Sequence, residues 1–108
     1  MVPRRLERLP RVGDGGRVTV YVAVSYRARL LGLAGLAGMP PRSALLLPRC
    51  SSVHTFGMRF PIGVLFLDDE MRVIGERREV RPGRVVWQRG ARAVVEFQAG
   101  VPTKPASR

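Results

Sequence analysis

Residues 52–69 read SVHTFGMRFPIGVLFLDD, and this stretch decides the fold of the chain. Its second half, residues 62–67, is apolar apart from Gly63 and ends at two aspartates. A short apolar run between Pro61 and a pair of acids is typical of a buried β-strand. The first half contains the only histidine of the chain, His54, among aromatic and polar residues. We therefore expect a central strand with the chemically most varied segment at its entrance.

Alternation and turn residues on either side of this stretch predict further strands. Asp14-Gly15-Gly16 and Arg81-Pro82-Gly83 are turn signals, and residues 92–99 alternate with the period of two expected of a strand. Residues 49–53 are predicted as a loop or a bulged strand, and residues 56–60 as an irregular crossing. The predicted strands are residues 17–23, 44–47, 62–68, 71–80, 85–87 and 92–99.

One helix is predicted between the first two strands. Ser25 suits the N-cap position, and apolar residues recur after it at intervals of three and four until Gly38. The expected fold is therefore mainly β (α+β), a small antiparallel sheet curled into a partial barrel of six to seven strands with one short helix.

The whole chain has room for one domain. We expect a β-rich domain over residues 16–100, a loosely ordered N-terminal segment over residues 1–15 and a C-terminal tail over residues 101–108. No apolar run approaches the roughly 20 residues that cross a bilayer, and arginines interrupt the start of the chain where a signal peptide would be apolar. These features favour a soluble, cytoplasmic protein.

Positive charge dominates the composition. The chain has 19 basic residues against 8 acidic ones, a formal net charge of +11 and a pI of about 11.7. Lys104 is the only lysine, so almost every cation is an arginine. Such an excess attracts nucleic acid, anionic lipid or acidic partners, at least without sequence specificity.

Several motifs, in order along the chain, resemble a known family, the bacterial and archaeal domain-of-unknown-function family numbered 192. The matching segments are Gly32-Leu33, Leu45-Leu46-Leu47-Pro48, His54-Thr55-Phe56-Gly57-Met58, Phe60-Pro61-Ile62, Leu65-Phe66-Leu67-Asp68 and Val94-Val95-Glu96-Phe97-Gln98-Ala99-Gly100. The resemblance as a whole spans residues 24–100. The resemblance implies a compact, mainly β fold with a small helix, and it supplies no function.

Three positions depart from the family pattern. The aspartate usual after Pro-Ile is Gly63 here, and the arginine usual after Gly-Leu is Leu36. The Gly-Asp-containing segment usual after Ala-Gly is not reproduced in residues 101–108. If those polar groups serve the family's activity, this chain has an altered version of it.

The segment around His54 is the first candidate site. We expect a non-enzymatic module that binds a partner or a small ligand, although a single histidine in a strand is more often a structural residue bonded to the backbone. The predicted binding residues are His54, Thr55, Phe56, Met58, Arg59, Trp87 and Arg89.

An arginine-rich face is the alternative site. Guanidinium groups on both sides of Trp87 could contact phosphates while the indole stacks on a base, although they also suit a solubilising surface with Trp87 in the core. This reading makes the chain a nucleic-acid-binding accessory protein. Its predicted residues are Arg77, Arg78, Arg81, Arg84 and Arg92.

Catalysis is the third reading, as an unrecognised hydrolase. Cys50 and His54 invite a nucleophile–base pair, but four residues of extended chain span about 13 Å, so they would need a sharp fold to meet, and no positioned acid is evident. Metal-ligand spacing is absent, and Asp68, Asp69 and Glu70 read more simply as a solvated hairpin tip. We expect no cofactor and no metal, and the lone cysteine excludes an intramolecular disulfide.

Overall fold

The computed structural model describes residues 11–13, 19–23, 38–39 and 42–99, and this part of the chain is mainly β. No helix occurs among these residues. The predicted helix, Leu36 and the predicted tail lie outside them. The strands are β1 (Arg11–Gly13), β2 (Thr19–Val22), β3 (Ser43–Pro48), β4 (Ser52–His54), β5 (Ile62–Leu67), β6 (Val73–Val80), β7 (Val85–Trp87) and β8 (Ala93–Gln98).

The strands form two sheets. Six of them hydrogen-bond in the order β1-β2-β3-β8-β5-β6, while β4 and β7 form a separate antiparallel pair. The predicted antiparallel order is wrong at one point, because β2 and β3 run parallel. A parallel pair needs a connection of a dozen or more residues, and residues 23–42 separate the two strands in the sequence. In the described part of the chain the six-stranded sheet is mixed and does not close on itself, and the curling into a partial barrel stays a prediction.

The eight described strands exceed the predicted six or seven. β1 falls within residues 1–15, which we expected to be loosely ordered, and its three residues pair with β2. β4 falls where a loop or bulged strand was expected. Both strands are three residues long and have too few apolar positions for a period to show.

The prediction of a buried strand after Pro61 is confirmed. β5 lies between β8 and β6, and Ile62, Val64 and Phe66 on one of its faces are fully buried. They belong to the core cluster, together with side chains of β3, Val94 of β8 and residues of other segments, among them Val53 and Met58. Fully burying apolar side chains of this size stabilises a fold by about 1.5–3 kcal/mol each.

Gly63 has a structural role on the other face of β5. It pairs with Phe97 of β8, and a Cβ atom added to Gly63 would overlap the Phe97 ring. An aromatic ring therefore fills the space beside this glycine. The departure from the family's aspartate is thus matched to the neighbouring phenylalanine of this chain.

The β5–β6 turn forms without glycine because Met71 adopts the left-handed conformation, with φ of 64°. The carboxylate of Asp68 accepts hydrogen bonds from the backbone N–H of Arg72 at 2.8 Å and of Glu70 at 2.9 Å. Its second oxygen accepts from Nε of Arg72 at 2.9 Å. The Arg72 N–H is the largest of the contributions that lower the pKa of Asp68.

Candidate functional site

The β4–β7 pair has one face open to solvent. Its register places Ser52 opposite Trp87 and His54 opposite Val85. Because side chains alternate along a strand, these four residues share a face, and Val53 points to the opposite side, into the core. On the open face Trp87 is 67% exposed and Val85 is 52% exposed. We call these four residues, together with Phe56, the outer ribbon face.

His54 and Phe56 extend this face beyond the end of β4. Their rings are stacked, with centroids 5.6 Å apart and planes inclined by 29°. Nδ1 of His54 accepts a hydrogen bond from the Phe56 backbone N–H at 3.2 Å. In the neutral imidazole this leaves the proton on Nε2, which is free to act as a donor at the surface.

A turn at Gly57 holds Phe56 in its exposed position. The Met58 N–H donates to the Thr55 carbonyl at 3.2 Å, and Gly57 has φ of 79°. Positive φ at the third residue of such a turn is the type II pattern, which favours glycine. The second residue, Phe56, projects outward and is 55% exposed, while Met58 returns to the core.

The buried Thr55 joins this turn to the Arg81–Arg84 turn. Its hydroxyl donates to the Arg81 carbonyl at 2.6 Å and accepts from the Arg84 N–H at 2.7 Å. It therefore bridges the two backbone groups that a β-turn usually bonds directly. The Thr55 backbone adds bonds from its N–H to the Arg84 carbonyl and from the Gly83 N–H to its own carbonyl.

An open cleft of about 550 Å³ lies between the second half of β6 and the start of β7. We call it the arginine cleft because four arginines line it, together with two glutamates and three valines. The arginines are four of the five in the predicted nucleic-acid face: Arg77, Arg78, Arg81 and Arg84.

Arg77 connects the arginine cleft to the outer ribbon face. Its guanidinium lies over the Phe66 ring, 5.5 Å from the centroid, and donates to the backbone carbonyl of Glu76 at 3.1 Å. A longer hydrogen bond of 3.4 Å reaches the carbonyl of Trp87. The Arg77 side chain thus links β6 to β7, although the two strands belong to different sheets.

Arg92 lies elsewhere. It lines a smaller cleft of about 250 Å³, together with Arg49, Cys50, Ser51 and Ala91. Sγ of Cys50 donates to the Ser52 carbonyl at 3.0 Å. This hydrogen bond is with Ser52 and does not pair Cys50 with the His54 imidazole. Arg59 and Arg89 are exposed.

Glu96 is a polar group that the sequence analysis did not single out. It pairs with Leu45 and Val64, both members of the core cluster, and is only 3% exposed. Oε1 of Glu96 has no hydrogen-bond partner among the residues described. Burial raises the pKa of Glu96 to about 8. The alternation of residues in β8 could have predicted the burial of Glu96, because Glu96 lies on the same face of the strand as the apolar Val94.

The structure thus sorts the predicted site residues into groups. His54, Phe56 and Trp87 share the outer ribbon face. Ser52 and Val85 also belong to this face, although they were not among the predicted binding residues. Thr55 and Met58 lie beneath the face and position it.

Neither a metal cluster nor a membrane-spanning helix is found in the described ranges. No three His, Cys, Asp or Glu side chains there are grouped to hold a metal ion. No helix there has the length and apolar character needed to cross a membrane.

Two solved structures have the same fold. One is a protein of unknown function from Novosphingobium aromaticivorans DSM 12444, with a TM-score of 0.68 and 17% identity over 83% of this chain and 71% of that one. The other, from Sinorhizobium meliloti 1021, is described as a "putative transcription regulator" and has a TM-score of 0.70 and 22% identity over 83% and 78% of the two chains. No curated protein matches the chain.

These likenesses place the chain in a class of small, mainly β folds. Residues 10–105 match the model of the family DUF192, described as "Uncharacterized ACR", and the chain belongs to that family.

Proposed function

We propose that this protein is a non-enzymatic binding module whose contact surface is the outer ribbon face. The observation that supports this is the exposure of three large apolar side chains on one small ribbon: Trp87, Phe56 and Val85. Large exposed apolar groups that cluster, rather than occurring singly, mark interaction sites in folded proteins. Tryptophan in particular is enriched where proteins bind partners.

The face has the geometry of a recognition surface. Trp87 and His54 are diagonal neighbours across the ribbon. Such neighbours are roughly 7–8 Å apart, which a single planar ligand can span. His54 contributes a donor at Nε2, and Ser52 contributes a hydroxyl beside the indole. A few polar groups among apolar ones fix the orientation of a ligand.

The surface is also held rigid from beneath. Val53 anchors β4 in the core, and Thr55 fixes the turn that presents Phe56. A surface that is already ordered loses less conformational entropy when it binds. This combination of exposure above and order below favours binding over a merely solvated strand pair.

The test is a titration of isotope-labelled protein with anilinonaphthalene sulfonate, followed by NMR. We expect the largest shift changes at Val85 and the Trp87 indole. The double variant Phe56→Ala/Trp87→Ala should lose the binding. The matched control is Met71→Ala/Ile74→Ala, which removes two other exposed apolar side chains outside the face, where Met71 is 57% and Ile74 39% exposed. Binding that survives the first variant, or that disappears in the control, would contradict the proposal.

A further inference from the structure

We propose that the outer ribbon face and the arginine cleft form one site for single-stranded nucleic acid. In this site, bases stack on Trp87 and Phe56 while phosphates contact Arg81 and Arg84. The inference names the ligand of the binding surface proposed above, and it rests on that proposal.

The aromatic and cationic parts of the site are built as one unit. Arg84 directly precedes Val85, so the arginine cleft continues along β7 into the outer ribbon face. Thr55 holds both parts, because it begins the turn that presents Phe56 and its hydroxyl bridges Arg81 and Arg84. A ligand that spans both parts therefore meets a fixed spacing between rings and cations.

The charges of the cleft suit an anionic ligand. Four arginines face two glutamates in its lining, an excess of two positive charges. The ion pairs in the described part of the chain engage Arg72 and, at 3.9 Å, Arg78. Arg81 and Arg84 are exposed and belong to none of these pairs. The overall charge of +11 adds long-range attraction for a polyanion.

The two exposed rings distinguish nucleic acid from an acidic peptide. A peptide of aspartates and glutamates would use the arginines and leave the rings in water, whereas a single strand uses both. The edge of the sheet offers little to a peptide strand as well. β6 pairs with β5 through two register shifts and carries charges of both signs, features that protect an edge from further strand pairing.

The rings also distinguish single strands from duplexes. Bases in a duplex are stacked on one another, so their faces are not accessible to Trp87 or Phe56. Stacking of unpaired bases on aromatic side chains tolerates any sequence, because every base has a π-face. We therefore expect a preference for single strands with little sequence preference.

The experiment uses labelled oligothymidylate and oligouridylate of about ten nucleotides, a length within the usual range of such sites. Binding is followed by anisotropy over a series of salt concentrations. It is also followed by the fluorescence of Trp87, the only tryptophan of the chain. We expect Trp87 to be quenched and Trp87→Ala to weaken binding by about 5- to 150-fold.

Two pairs of arginine substitutions separate a built site from general charge. Arg81→Gln/Arg84→Gln should reduce the slope of log affinity against log salt by about 1.4, because each single-strand phosphate contact contributes about 0.7. Arg42→Gln/Arg49→Gln removes the same formal charge from two exposed arginines that do not line the arginine cleft and belong to none of the ion pairs described above. This control should leave the slope unchanged. Circular dichroism of each variant establishes that it is folded.

Several results would overturn the inference. Equal weakening by both arginine pairs would reduce binding to net charge. Equal affinity for a duplex of the same length, without quenching, would remove the stacking. A polyglutamate peptide that binds as tightly as an oligonucleotide of equal charge, with no loss of oligonucleotide affinity on Trp87→Ala, would assign the site to an acidic protein partner. If anilinonaphthalene sulfonate binds the outer ribbon face and the oligonucleotides do not bind, nucleic acid is excluded while the binding module stands.

Discussion

The outer ribbon face and the centre of the six-stranded sheet reverse the usual distribution of polarity. On the ribbon, Trp87 is 67% exposed, while in the sheet Glu96 is 3% exposed and lies among core side chains. The two departures differ in their energetic consequences. An exposed indole gives up stabilisation that burial would supply, whereas a buried carboxyl group imposes a desolvation cost on folding. The first leaves a surface available for binding, and the second makes the fold sensitive to proton concentration.

The largest expected effect of this contrast is on stability at different pH. Burial raises the pKa of Glu96 to about 8 from an ordinary value of 4.5. Between these values the folded chain keeps the proton and the unfolded chain loses it. The free energy of unfolding should therefore fall as the pH rises through this window, by up to about 5 kcal/mol, and level off above it. The pKa of Asp68 is lowered in the fold, so the stability that Asp68 contributes is lost at more acidic pH, as the pH falls below its ordinary pKa of 3.8.

The variant Glu96→Gln isolates this contribution, because an amide mimics the protonated acid and does not ionise. Urea unfolding at about pH 5 and about pH 8 should show similar stability to the unchanged protein at the lower pH and a more stable variant at the higher pH. A difference between the two proteins that is the same at both pH values would mean that Glu96 does not keep its proton in the folded chain.

A smaller effect is expected at the junction beneath the outer ribbon face. Thr55→Val removes the hydroxyl that bridges Arg81 and Arg84 while keeping the shape of the side chain. The loss should destabilise the fold by about 1–3 kcal/mol, the usual cost of leaving buried polar groups unpaired. Thr55→Ser is the matched control and should retain most of the stability. If Thr55→Val and Thr55→Ser have the same midpoint of thermal unfolding, the hydroxyl bridge does not hold the two turns together.

The core of the fold was predictable because its signals are local. The apolar run before Asp68 identified β5, and Arg81-Pro82-Gly83 identified a turn. The parallel pairing of β2 with β3 was missed, although strand, helix and strand in succession often form a crossover. Whether β3 runs parallel or antiparallel to β2 depends on the path of the chain between them. The residues of the two strands themselves do not specify that path.

The site was less predictable because its parts come from distant segments. β4 pairs with β7 across more than thirty residues, and Ser-Val-His alone contains a single apolar position. Val85-Val86-Trp87 contains no polar residue, so its exposed face could not be chosen without the partner strand. The hydroxyl that completes the Arg81–Arg84 turn comes from 26 residues earlier than Arg81. The sequence identified Thr55 and Trp87 as candidate site residues. Only the packing shows that Thr55 is buried and Trp87 is exposed.

The smallest expected effect is at Trp87 itself, and it tests the comparison most directly. Because the indole is exposed, Trp87→Ala should change the free energy of unfolding by no more than about 0.5 kcal/mol. Val53→Ala, on the buried side of the same ribbon, should destabilise by about 1–2 kcal/mol although it removes far fewer atoms. Urea unfolding of both variants under one condition gives the answer. If Trp87→Ala lowers the free energy of unfolding more than Val53→Ala does, the indole is part of the packed structure. The proposal that the outer ribbon face is a binding surface would then be contradicted. The expected order, in which the larger truncation has the smaller cost, follows because the indole contributes little to the packed structure and is left available for a ligand.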